Sequence, residues 1–382
     1  MVNVRNLAAS LAFSSLLGAA VAHPGESEEQ VRREISSYRE AQHLGRRAVS
    51  ACASSPKTAA LKSRAAARRA AAAEALRQKR GLTEKTLKTK RDQAGFAKWS
   101  AVDHDSTSLG YDLETSVETI FSSNSTCTLV PEVTIGPYWV GGELIRADIT
   151  DGQTGVPLHL DLQFIDLNTC EPIPAATLVD IWACNSTGVY SGVSSQGQGG
   201  LNSTHGRGIQ STDEDGVVQF DTIFPGHYTG RTPHIHMMTT SGATLLPNDT
   251  YVSTSGVPSH IGQLFFDQDL IYETKAIEPY ASNAQSLTLN SGDGIGISEA
   301  TVDFDPFVDY VRLGDDLNDG LLAWQTVFVD TTADVSSARN EAAHYYEGGG
   351  VSNGNGGGGG GPGGPGGPGG FPTGLPTPPA RA

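Results

Sequence analysis

Between about residues 101 and 346, short apolar runs alternate with clusters of Gly, Asp, Asn and Pro. Inside several runs the character switches at every residue, as in Leu158-His159-Leu160-Asp161-Leu162-Gln163-Phe164-Ile165, Val217 to Phe220 and Ile235 to Met238. A period of two is that of a strand with two unlike faces. Leu178-Val179-Asp180-Ile181-Trp182 reads instead as a fully buried strand, followed by the turn Asn185-Ser186-Thr187-Gly188. Many short strands joined by polar turns predict an all-β domain over residues 101–346, an antiparallel β-sandwich or barrel.

The flanks have another texture. Ala-rich stretches such as residues 65–76, with Arg64, Arg68 and Arg69 spaced along them, predict short helices in a basic N-terminal arm over residues 23–100. From Gly348 to the end the chain is nearly all Gly and Pro, so residues 347–382 are expected to be a disordered tail.

Charge sharpens this division. Residues 23–100 hold 18 Lys and Arg against 8 Asp and Glu, although the 382-residue chain carries a formal charge of −16. Residues 101–382 therefore hold 7 basic against 34 acidic groups. The arm is expected to lie on the acidic domain, as a flanking element or pro-segment, rather than on nucleic acid. The dibasic pairs Lys79-Arg80 and Lys90-Arg91 are candidate processing sites.

Residues 1–22 have a basic start, an apolar run and Ala20-Val21-Ala22 before His23, the pattern of a secretory signal peptide. No later run is long and apolar enough to span a bilayer, so a secreted, extracellular protein without a membrane partner is expected. Cys52, Cys127, Cys170 and Cys184 lack metal-binding spacing and are expected as disulfides. The closeness of Cys170 and Cys184 suggests that they pair and leave Cys127 for Cys52. Asn124, Asn185, Asn202 and Asn248 begin glycosylation sequons.

The chemistry concentrates in Phe224-Pro225-Gly226-His227-Tyr228-Thr229-Gly230-Arg231-Thr232-Pro233-His234-Ile235-His236. On a strand, His234 and His236 project to one side about 6.5 Å apart, near enough to share a metal ion. The Pro225-Gly226 turn can return Tyr228 to that face, and Arg231 adds a fixed positive charge.

These residues resemble the intradiol ring-cleavage dioxygenases, especially the secreted fungal members. The resemblance is carried in order by Gly136-Pro137-Tyr138-Trp139, Arg146-Ala147-Asp148-Ile149, Val179-Asp180-Ile181-Trp182, Gly188-Val189-Tyr190-Ser191, the segment from Thr222 to Tyr228, and Arg231 to His236. It implies a β-sandwich whose Tyr190, Tyr228, His234 and His236 hold a non-haem Fe(III), with Arg231 and Gln263 beside the substrate. Tyr228 and His236 would be axial, Tyr190 and His234 equatorial, and Tyr228 would act as the base. Two phenolates and two imidazoles suit a hard ferric ion better than zinc or calcium. Asp213 and Asp215 are expected as turn formers rather than ligands.

By the same resemblance, the expected reaction inserts both atoms of dioxygen and opens a catechol between its hydroxylated carbons to a muconate-type diacid. Catechols and O2 are the expected partners, and a homodimer is one assembly the sequence allows. The competing readings are a glycosylated, non-enzymatic sandwich binding polysaccharide or aromatic ligands, and a zinc or copper hydrolase built on His234 and His236. A third would chelate copper at a free N-terminal His23. None uses the ordered set of two tyrosines and two histidines.

Overall fold

A computed structural model describes residues 52, 55–82, 104–105, 133–299, 305–346 and 348–354. The expected leader, much of the arm, Cys127, Asn124 and residues 355–382 lie outside them.

Two four-stranded sheets form the body. The first runs in the order β10 (Asp309–Arg312), β11 (Leu321–Val329), β2 (Pro157–Asp166), β5 (Val217–Ile223). The second runs β4 (Arg207–Ser211), β3 (Leu178–Trp182), β6 (His234–Ser241), β9 (Val257–Phe265), with every pair antiparallel. In the first sheet β2 and β11 pair in parallel, which departs from a purely antiparallel sandwich. Two minor strands, β7 (Leu245–Leu246) and β8 (Thr250–Tyr251), pair with each other, and the short helices α2 (Gln268–Lys275) and α3 (Gly294–Glu299) follow β9.

The alternation read from the sequence sorts residues between faces. Leu158, Leu160, Leu162 and Phe164 of β2 share one buried cluster with Val179, Ile181, Ile235, Met237 and Leu264 of the second sheet. Each such side chain contributes about 1.5–3 kcal/mol on burial, so this interior dominates the cohesion of the fold.

The other face of β2 is also closed. Asp161 and Gln163 are 0% and 1% exposed, because helix α1 (Pro56–Lys79) is ion-paired to this face. Ser55 Oγ caps α1 by accepting from the Lys57 amide, and Pro56 stands where the helix has no use for an N–H donor. Ala66, Ala73 and Leu76 pack against Leu322 and Trp324, while Arg68 and Arg69 both donate to Asp161. The basic segment is thus helical where described and lies on the acidic domain.

The cysteine pairing differs from the expectation. Cys52 is bonded to Cys170, and Cys184 is a free, buried thiol that donates to the Gly226 carbonyl. Cys170 lies in the turn after β2 of the first sheet, whereas Cys184 follows β3 of the second, and β3 itself advances the chain by about 3.3 Å per residue between them. Nearness in sequence is not nearness in space here.

The expected boundary at 346 also moves. Strand β13 (Gly349–Ser352) pairs antiparallel with β12 (Ala343–Tyr346), which pairs with β1 (Val140–Gly141). An edge strand offers unpaired backbone groups, and the first glycines of the tail satisfy them despite having little side chain to bury.

Candidate metal centre

On β6 alternate residues divide cleanly. Ile235 and Met237 enter the sandwich interior, so His234 and His236 point to the outer face of the second sheet. That face is roofed by Val133, Ile135, Tyr138, Trp139 and Val140, and both histidines are 1% exposed.

Two loops bring the tyrosines in. Tyr190 follows β3 and Tyr228 follows β5, and each stands two residues after a glycine. Gly188 has φ +78°, and a Cβ there would lie 2.2 Å from the His227 carbonyl oxygen. A Cβ on Gly226 would lie 2.5 Å from the Ser186 carbonyl oxygen. Glycine at both positions lets the loops touch backbone to backbone, which seats the two phenols over one spot.

The donor atoms converge. Tyr190 Oη and Tyr228 Oη each lie 3.4 Å from His234 Nε2, and His236 Nε2 lies 3.2 Å from it. His234 Nδ1 donates to the Thr232 carbonyl at 2.6 Å, which leaves Nε2 as the lone-pair atom facing the cluster. Ligands about 2 Å from a shared cation stand roughly 3–3.5 Å apart, so the donors fit a single metal ion. Among the described residues no group of three or more His, Cys, Asp or Glu could do so, and the tyrosines are what complete a set.

Burial shapes the ionisation. Desolvation lifts both phenols well above the usual tyrosine range, and for Tyr228 the Arg231 charge only partly opposes it. Burial, helped by Arg231, holds His234 well below its usual value and therefore neutral. Beside the neutral His234 imidazole, the two reluctant phenols become good ligands only when a cation displaces their protons.

Arg231 is 1% exposed, and its Nε donates to Asp293 Oδ2 at 2.9 Å while Nη2 donates to Gln263 Oε1. Gln263 on β9 is the register partner of His236. All six residues singled out from the sequence thus meet in one place. Asp213 accepts from the Asp215 and Val217 amides, and Asp215 pairs with Arg64, so both stay away from the cluster.

Sequence reasoning missed three supports. Asp293 accepts from Arg231 and also from the Ile295 and Gly296 amides at the start of α3. Trp182 stacks on His236 with ring centroids 4.9 Å apart. Asp180, two residues before Trp182 on the same face, accepts from Trp139 Nε1 at 2.8 Å, and burial pushes its carboxyl up to about 8. Only the Asp180-x-Trp182 spacing left a trace in the sequence.

Fold and site define an all-β protein with one buried centre of two phenols and two imidazoles. Residues 139–295 match the family model described as "Dioxygenase", a span that contains the four donors, Arg231 and Gln263. An intradiol ring-cleavage dioxygenase from Tetranychus urticae is 30% identical, covering 55% of this chain and 98% of that one, with a TM-score of 0.44. The dioxygenase domain of a carbohydrate-binding fusion protein from Streptomyces sp. SirexAA-E is 21% identical, covering 53% and 98%, with a TM-score of 0.33. Catechol 1,2-dioxygenase from Acinetobacter sp. ADP1 is 19% identical, covering 56% and 68%, with a TM-score of 0.37. No curated protein matches the chain. The chain belongs to the intradiol ring-cleavage dioxygenase family and is an enzyme of that class. That membership sets aside the non-enzymatic reading of the sandwich.

Proposed function

We propose that the protein holds one non-haem ferric ion through Tyr190, Tyr228, His234 and His236 and acts outside the cell on lignin-derived or plant catechols. The carrying observation is the meeting of three donor atoms within 3.4 Å of His234 Nε2 in a buried cluster. When bound, ferric iron would withdraw electron density from a catecholate and make its ring reactive towards dioxygen.

The residues supply the rest. Tyr228 would supply the phenolate that takes a proton from a substrate hydroxyl. Arg231, fixed by Asp293 and Gln263, holds its positive charge beside the pocket, where negative charge gathers on the opening ring. Tyr138, Trp139, Phe265 and Ile295 give the face an apolar lining that excludes water. Secretion is supported by the leader-like residues 1–22 and by the Cys52–Cys170 disulfide, which belongs to an oxidising compartment.

Metal analysis with oxygen uptake on a panel of catechols tests the reading. The expected protein is reddish, carries about one iron per chain and changes colour when a catechol is added without oxygen. A colourless protein with stoichiometric zinc overturns the ferric assignment.

A further inference from the structure

Two buried arginines flank the tyrosines of the centre. Arg231 acts on both phenols, while Arg207 on β4, also 1% exposed, lies against the ring of Tyr190 alone. Its Nε donates to the Ser191 carbonyl at 3.1 Å and to Ser191 Oγ at 2.9 Å, and Nη2 donates to the same carbonyl at 2.8 Å. Three hydrogen bonds from one planar fork thus fix the residue that follows Tyr190. The guanidinium carbon stands 6.0 Å from the centre of the Tyr190 ring, within the range of a cation–π contact.

The opposing charge is looser here than at Arg231. Asp293 approaches Arg231 Nε to 2.9 Å, whereas the buried Glu143 carboxylate stays 3.7 Å from Arg207 Nε. Less of the Arg207 charge is therefore cancelled locally, and more of it acts on the ring.

We propose that Arg207 is the positioning residue for Tyr190: it clamps the Ser191 turn and, through its charge over the ring, sets how strongly that phenolate donates to the metal. The proposal rests on the ferric reading above. A nearby cation stabilises the filled orbitals of a phenolate, so transfer of an electron from ring to iron(III) costs more energy while Arg207 is present. Loss of the cation moves the visible charge-transfer band to longer wavelength. Loss of the fork frees the turn and speeds metal release.

The test uses the full-length, iron-loaded protein with its visible spectrum, iron release to a chelator, and kcat and KM measured separately. Arg207→Met combined with Glu143→Gln removes the cation without stranding the Glu143 carboxylate, and Asp180, the other buried carboxyl facing Arg207, keeps its hydrogen bond from Trp139. It should shift the band to longer wavelength and release iron about 10- to 100-fold faster. Arg207→Lys keeps a charge but not the fork, so its band should stay near that of the wild type while release still quickens. Glu143→Gln alone is nearly isosteric and is read at mildly alkaline pH, above the value of about 7 to which burial raises that carboxyl. There it should shift the band to shorter wavelength. Unmoved bands in both the double variant and Glu143→Gln overturn the electronic role, and unchanged release in Arg207→Lys overturns the clamp. A wild-type protein that holds iron without a visible band overturns the ferric phenolate reading, and this proposal with it.

Discussion

Trp182 and His236 are cross-strand partners on β3 and β6, and their rings stack 4.9 Å apart with planes 7° from parallel. An indole in that position fixes the plane of the imidazole as well as covering it. His234 is fixed differently, through its hydrogen bond to the Thr232 carbonyl. Orientation of both imidazoles is therefore built into the sheet before any metal arrives.

Trp182→Leu should accordingly weaken metal retention by about tenfold and destabilise the fold by about 3 kcal/mol, since it removes a stack and leaves a cavity. Trp182→Phe, which preserves a flat ring, should keep most of the iron. Chelator competition and denaturant unfolding check both. Equal iron release in the two variants would show that the stack is only packing.

Arg231 and Asp293 form a fully buried ion pair, and Asp293 also accepts from the Thr232 amide. Asp293→Asn can accept on one side only, so it should cost about 3 kcal/mol and lower kcat by loosening Arg231. Arg231→Lys should retain iron while lowering kcat, because the charge remains and the fork is lost. Iron content and single-turnover rates separate these cases. Outright loss of iron in Arg231→Lys would make the residue structural.

His104 is held between Asp267 and Asp305, at 2.7 and 2.9 Å. Burial alone would lower its pKa, but the two carboxylate hydrogen bonds outweigh it and leave the imidazolium well above the usual value. Below an unfolded value of about 6.5 the ring is charged in both states and the pairs contribute fully. As pH rises further, folding must retain a proton that the unfolded chain releases, so this stabilisation fades until the folded pKa is passed. Denaturant unfolding at about pH 6 and about pH 9 should show the decline, and His104→Asn should flatten it at a cost of about 3 kcal/mol at the lower pH. A variant with the wild-type pH dependence would remove His104 as its source.

The described sequons are unequal. Asn185 Nδ2 donates to Gln153 Oε1, and its Oδ1 accepts from Thr187 and Val189, so the amide is already committed beside the Tyr190 loop. Asn202 and Asn248 are exposed. Protein recovered from a secreting host should carry glycans at one or both of the latter and none at Asn185. Intact mass and peptide mapping after glycosidase treatment decide it.

Much of this was legible because strand period and ligand geometry coincide. Alternation at Ile235 to Met238 assigned the histidines to one face, and turn chemistry at Pro225-Gly226 returned Tyr228 to them. The layer outside β2 was not legible, because a helix over that face turns Asp161 and Gln163 from surface residues into buried ones without altering the local pattern. The Cys52–Cys170 bond and the Asp293 contact were hidden for a related reason. Both join positions far apart along the chain, and short-range spacing carries no information about such meetings.

That bond makes α1 a tethered ligand of the domain. Arg64, Arg68 and Arg69 would be modest contacts if the helix arrived from solution, but attachment at Cys52 holds it at a local concentration on the order of millimolar. The Lys79-Arg80 pair is an awkward protease target, since Arg80 donates to the Asp319 carbonyl. A cut farther on, at Lys90-Arg91, would yield a two-chain enzyme whose small chain still covers the outer face of β2. Only a reductant would then release it, and nicking and reduction together, neither alone, would expose Asp161.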